Sequence, residues 1–142
     1  MCKKNKKNNK IFINYNKIKN INNCIKFNNG YIKIFLNIKE LFKLYYKYKN
    51  VNFIKLRKLK KNENIYINYY NNIEDIKYNF IGFGNKKIIE LFQLLNIPIY
   101  YRNNIPLIFY NNNLMAILKF SIIKKEENIN NNFIYILYKI WN

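Results

Sequence analysis

The sequence predicts an α+β fold: a small mixed domain of β-hairpins with two short helices, at about residues 38–47 and 86–95. Three patterns point to it. Apolar residues alternate with period two along 64–70 and 76–80, as in half-buried strands. Two stretches instead place apolar residues at helical spacing directly after an Asn. Asn and Gly clusters separate these runs, which is turn chemistry.

Taken in order, residues 1–10 (MCKKNKKNNK) read as a basic arm, a frayed terminus or one that orders on a phosphate surface. Ile11 to Tyr15 and Tyr31 to Leu36 are short β-prone runs with a turn signal at Asn28-Asn29-Gly30. Asn37 and Glu40 have capping-box spacing, and Ile38, Leu41, Phe42 and Tyr45 share one helical face to about Lys47. Val51 to Leu59 reads as a strand. Its tail carries Lys55, Arg57, Lys58, Lys60 and Lys61, either a solvated edge or an RNA contact.

Asn64 to Tyr70 and Ile76 to Phe80 read as a hairpin around Asn71-Asn72 that runs into Gly82 and Gly84. A helix over Lys86 to Leu95 follows. Asn85 is its expected cap, Ile88, Leu91, Phe92 and Leu95 its buried face, Asn96 its left-handed C′ residue and Pro98 its stop. Ile105 to Tyr110 and Leu114 to Ile123 form a second hairpin around Asn111-Asn112-Asn113. After a Glu/Asn-rich loop, Phe133 to Trp141 closes the chain as a strand. The expected division is a basic arm (1–10), an N-terminal α+β part that could serve as a linker to a catalytic domain (11–62), and a C-terminal domain (63–142).

Half of the 142 residues are apolar and 18% are aromatic, enough for a core. The net charge of +19 with only seven acids suits a polyanion partner. Lys outnumbers Arg 24 to 2, there is no His or Thr, and Asn and Ile abound, the residue set of A/T-rich codons. Codon drift therefore explains part of the charge. Against this bias the only Gln, Ala and Ser, both prolines and two of the three glycines fall between Gly82 and Ser121, where residue identity matters most.

Chemistry is mostly excluded. Without His no imidazole-based triad or dyad can form. Cys2 and Cys24 suit neither a disulfide framework nor a zinc site, and they fit a reducing compartment: the cytoplasm, or the interior of an organelle or endosymbiont. Glu74-Asp75 and Glu126-Glu127 are neighbours rather than facing pairs. Gly82-Phe83-Gly84 lacks the third glycine of a dinucleotide fingerprint, and there is no P-loop. No apolar run is long enough for a transmembrane helix, and no membrane partner is expected. Catalytic and metal-binding residues are therefore expected to be absent, with no cofactor bound by the chain.

Lys86 and Lys87 stand where a helix dipole disfavours cations, and a phosphate there would reverse the sign. With Asn85 and the side-chain-free approach at Gly82 and Gly84 they suggest an anion cradle, against the simpler reading of solvated lysines at a Gly-rich turn. Arg102 can fork onto phosphate oxygens or tie a loop carbonyl. Tyr100 can stack on a base or wedge into the core.

From Asn85 to Leu118 the chain reads NKKIIELFQLLNIPIYYRNNIPLIFYNNNLMAIL. This resembles the signature of the C-terminal domain of tRNA(Ile)-lysidine synthetase, at Lys86, Lys87, Phe92, Pro98, Tyr100, Arg102, Pro106, Leu107, Phe109, Tyr110 and Leu114. Tyr100 stands where that family usually has Trp, and Ile99 where it often has Pro. The resemblance covers about residues 63–138. It implies part of an ATP-dependent ligase that attaches lysine to the wobble cytidine of an isoleucine tRNA. In that family a PP-loop domain with an S-G-G-x-D-S motif uses the ATP, and the C-terminal part helps to hold the tRNA. This chain contains no such motif. The expectation is a tRNA-binding module, either a subunit whose catalytic partner acts in trans or the product of a truncated gene. The competing readings are a basic protein embedded in ribosomal RNA and a peripheral membrane protein.

Overall fold

The computed structural model describes residues 9–13, 24–45, 50–123 and 132–141. Most of the expected basic arm and the Glu/Asn-rich loop lie outside these. The chain divides into two compact units, Met1–Phe12 with Tyr66–Lys124, and Ile13–Ile65 with Lys125–Asn142. The α+β class holds: antiparallel hairpins carry short helices.

The unit formed by Ile13–Ile65 and Lys125–Asn142 is built on a four-stranded sheet in the order β2-β3-β11-β4, with β2 Ile25–Phe27, β3 Gly30–Phe35, β4 Asn52–Arg57 and β11 Phe133–Ile140. Asn28-Asn29 turns β2 into β3, and Phe27 pairs with Gly30. Gly30 is required by close approach, since a Cβ there would collide with the Lys139 carbonyl oxygen and the Phe27 ring. The closing strand β11 lies between β3 and β4, with Tyr135 opposite both Phe35 and Lys55.

This register sorts the side chains onto two faces. Ile32, Ile34, Leu56, Ile134 and Ile136 are buried on one, each contributing roughly 1.5–3 kcal/mol when fully removed from water. The other carries Phe35, Phe53, Lys55, Arg57, Phe133 and Tyr135. Helix α1, Ile38–Tyr45, covers part of that second face. Asn37 caps it as the spacing predicts: the Lys39 N–H donates to Asn37 Oδ1 at 2.8 Å. Leu41 is fully buried with Phe35, Val51 and Leu137, whereas Ile38 and Phe42 stay partly exposed, because a two-turn helix on a sheet buries one narrow stripe.

The other unit has a five-stranded sheet in the order β1-β5-β8-β9-β10, with β1 Ile11–Ile13, β5 Ile65–Asn68, β8 Leu107–Tyr110, β9 Asn113–Ile117 and β10 Ser121–Ile122. A separate hairpin pairs β6, Lys77–Phe80, with β7, Gly84–Lys87, and leads into α2, Ile88–Leu94, and the single-turn α3, Ile99–Arg102. Phe80, Ile88, Leu91, Phe92, Leu107 and Leu114 are core residues here. Tyr66 stacks on Phe109 with centroids 5.5 Å apart, and its hydroxyl donates to the Asn111 carbonyl.

Four expectations are corrected. Strand β5 does not pair with β6, because β1 and β8 already occupy both its edges. Tyr70–Asn72 forms a 3₁₀ turn instead, and the buried Asn68 Oδ1 accepts from the Tyr69 N–H and the Asn72 amide. Nor is β5 half-buried, since all four residues are buried. The run Leu114 to Ile123 is not one strand: it breaks at Lys119, which has φ 78°, and Ser121–Ile122 folds back onto Ala116 and Ile117. Finally, α2 begins at Ile88 rather than Lys86, because residues 84–87 are paired with β6. Its C-terminus follows the sequence signals closely. Asn96 is left-handed at φ 55°, the Asn96 N–H reaches the Gln93 carbonyl (3.1 Å), and the Ile97 N–H reaches the Phe92 carbonyl (2.9 Å), a complete Schellman motif before Pro98.

Candidate nucleic-acid interface

The β6–β7 register sets the geometry of the predicted cradle. Lys77 lies opposite Lys87, Tyr78 opposite Lys86, Asn79 opposite Asn85 and Phe80 opposite Gly84. Directly opposed residues share a face, so Lys77, Asn79, Asn85 and Lys87 form the outer face. Tyr78, Phe80 and Lys86 form the inner one, where Phe80 is buried and Tyr78 packs on the core. Burial pushes the Tyr78 hydroxyl pKa up, and the Glu74 carboxylate and Tyr66 add to this.

A helix-end cradle is not what forms. Asn85 sits on β7 and cannot cap α2, whose flanking residue is Lys87. The Lys87 N–H donates to Glu90 Oε1 at 3.0 Å, so a carboxylate of the chain already occupies the helix start. Lys87 Nζ also stands 3.6 Å from Asp75 Oδ2, both side chains being largely solvated. The structure therefore brings Asn85 and Lys87 together on a hairpin surface, and turns Lys86 to the opposite side. Gly82 and Gly84, at φ 81° and 79°, make the turn that permits this pairing.

Sequence reading missed Lys77 and Asn79, which complete the outer face. Their period-two spacing was visible, but β6 was assigned to the wrong partner strand. Lys77 directly opposite Lys87 is a like-charge pair, which costs stability in a sheet unless an anion lies near. Asp75 supplies one such anion on the Lys87 side.

The remaining candidates separate cleanly. Tyr100 is 84% exposed and is no core wedge; its neighbour Tyr101 packs on the core instead. Arg102 donates from Nε to the Ile97 carbonyl at 2.9 Å and lies 5.9 Å from the Phe92 ring centroid, so it ties the loop that follows α2. Arg57 is held by Glu63 in a two-pronged pair of 2.5 and 2.6 Å, which draws the Glu63 carboxyl below its ordinary pKa and removes Arg57 from the free cationic surface. Lys58, Lys60 and Lys61 remain exposed, while Lys55 extends over the Phe133 ring with Nζ 3.9 Å from the centroid. Among the described residues no three Cys, Asp or Glu side chains gather as metal ligands would, and no helix is long and apolar enough to cross a membrane.

Fold and surface together define a basic α+β protein of two compact units, in which the outer face of the β6–β7 hairpin presents lysines and amides and Tyr100 stands unpacked. Residues 80–134 match the family model described as the TilS substrate C-terminal domain, which bears out, over those residues, the resemblance to the C-terminal domain of tRNA(Ile)-lysidine synthetase. The match begins at the last residue of β6, takes in β7 through β10 with α2 and α3, and ends at the start of β11; it covers well under half of the chain. No curated protein matches the chain.

Proposed function

We propose that the chain is a tRNA-holding module of the lysidine-synthetase type, and that the β6–β7 hairpin is one of its contact surfaces. The match of residues 80–134 to a domain of a tRNA-modifying family carries this reading. Lys77 and Lys87 take phosphate oxygens, Asn79 and Asn85 donate to phosphate or sugar oxygens beside them, and Tyr100 stacks on an exposed base. Asp75 is the competitor that a phosphate displaces from Lys87. Lys58, Lys60 and Lys61 add cationic surface on the other unit, and isoleucine tRNA is the substrate that the family implies. The ATP chemistry belongs to a PP-loop domain, supplied in trans if this chain works as a subunit. This sequence holds no S-G-G-x-D-S motif that could bind the nucleotide.

Titration with isoleucine tRNA and with a ribosomal-RNA fragment of similar length tests this. The module binds the tRNA at least tenfold more tightly at moderate salt; equal affinity for both contradicts it. Replacing Lys86 and Lys87 together by Ala lowers the log–log salt slope by about 0.9, one phosphate contact, because only Lys87 faces outward.

A further inference from the structure

The four-stranded sheet carries an aromatic and cationic surface of its own, at the end where β2 turns into β3 and outside the family match. Lys26 lies directly opposite Tyr31, and Tyr31 directly opposite Lys139, so the three stand in one row on one face, the lysine backbones roughly 10 Å apart. Trp141 joins them. Its backbone N–H donates to the Asn29 carbonyl at 2.8 Å, which continues the β3–β11 ladder, and its ring lies against Tyr31 with centroids 6.2 Å apart. The indole nevertheless stays 47% exposed. Lys33, next on this face, is buried with Nζ 5.6 Å from the Phe35 ring centroid and stands apart from the exposed row.

We propose that this face binds single-stranded RNA, one base stacking on the open side of the Trp141 indole and the flanking phosphates taken by Lys26 and Lys139. Codon drift towards A/T supplies lysines but not tryptophan, and the only Trp of the chain stands half-exposed beside two of them. Charge complementarity points to a polyanion. The unit formed by Ile13–Ile65 and Lys125–Asn142 holds fifteen Lys and Arg against four acids. Of these acids, Glu40 sits in the first turn of α1, beyond the Phe35 end of β3, and Glu63 is engaged with Arg57 at the Phe133 end of β11. Glu126 and Glu127 precede Phe133 in the sequence, outside the described residues. Among the described residues neither Lys26 nor Lys139 is paired with a carboxylate. An acidic peptide would answer the two ammonium groups and leave the indole in water, and a bilayer gains little from one half-exposed ring. A nucleotide strand answers both.

The proposal shares with the tRNA reading only the class of ligand, and it is tested on the full chain with short strands that have no tRNA fold. Because Trp141 is the only Trp, intrinsic tryptophan fluorescence reports this face alone. Hexauridylate quenches it to saturation. An abasic strand of equal length, which keeps the phosphates and removes the bases, binds about tenfold more weakly, the value of roughly one stacked base. Trp141→Leu, followed by anisotropy of labelled strands, reduces hexauridylate binding to the abasic level and leaves the abasic strand unaffected, while Lys26→Glu, at an exposed position, weakens both. Equal binding of the two strands by the wild-type chain, unchanged fluorescence at saturating hexauridylate, or an unchanged preference in a folded Trp141→Leu variant overturns the proposal even if tRNA binds elsewhere. So does a blue shift of Trp141 emission with phosphatidylserine-containing vesicles and no response to hexauridylate, which would assign the face to a lipid surface.

Discussion

Replacing Lys77 by Glu changes two quantities in opposite directions. In the folded chain Lys77 faces Lys87 across the hairpin, so the substitution removes a like-charge pair and creates an opposite-charge one. Each of these two changes is worth about 0.2–1 kcal/mol in an antiparallel pair, so stability rises by on the order of 1 kcal/mol. For a chain of this length that raises Tm by roughly 3 °C. The same substitution deletes a proposed phosphate contact and adds a repulsion. The log–log salt slope of tRNA binding falls by about 0.9, so the affinity gained between 200 and 50 mM salt shrinks by roughly 3.5-fold, the fourfold dilution raised to that power. Thermal unfolding and fluorescence titration at several salt concentrations read the two effects on one protein preparation. A variant that is more stable but binds tRNA with unchanged slope refutes the hairpin contact, and one that is less stable refutes the register.

Asp75→Asn releases Lys87 from its ion pair and should strengthen tRNA binding two- to tenfold, with a stability change within about 1 kcal/mol because the pair is exposed; weaker binding by titration would contradict the idea that phosphate displaces this carboxylate. Tyr100→Ala should leave the unfolding midpoint unchanged and weaken RNA binding by about 1–3 kcal/mol, the value of one stacked base, and a drop in Tm would show a packing role instead. Glu63→Gln should cost roughly 1.5–3 kcal/mol at neutral pH by breaking the fork with Arg57. Because the folded-state pKa of Glu63 is lowered, that contribution is present above the ordinary carboxylate pKa and is lost as pH falls through the folded value. Denaturant unfolding of wild type and variant should therefore converge in acid, and a constant gap would contradict the assignment. Tyr69, pushed up to about 12 by burial, should remain un-ionised when exposed tyrosines titrate near pH 10, and the stability it contributes should fade as pH rises from there towards 12.

Local signals were legible where the neighbouring sequence narrows an Asn to one backbone use. Asn37 as a cap, Asn96 as a left-handed stop and Asn28-Asn29-Gly30 as a turn all follow from side-chain reach or tolerance of positive φ. Strand partnership was not legible. Lys77 to Phe80 alternates equally well beside β5 or β7, and only the occupied edges of β5 decide between them. That one choice shifted the start of α2, moved Asn85 from a cap to a strand and hid Lys77 and Asn79. Fully buried β5 was misread for a related reason: its Tyr66 and Asn68 look solvent-facing in sequence, yet hydrogen bonds from the Tyr66 hydroxyl and to Asn68 Oδ1 let both be buried. Arg57 shows the limit of counting charges, since its partner Glu63 lies six residues on and cancels it.

Amide chemical shifts of the labelled full chain during titration with isoleucine tRNA read the contact surface directly. Lys77, Asn79, Asn85 and Lys87 should move together and saturate at one equivalent, with Tyr100 broadening alongside them. A titration in which these residues stay fixed while tRNA binds would show that the outer face of the hairpin does not grip the RNA.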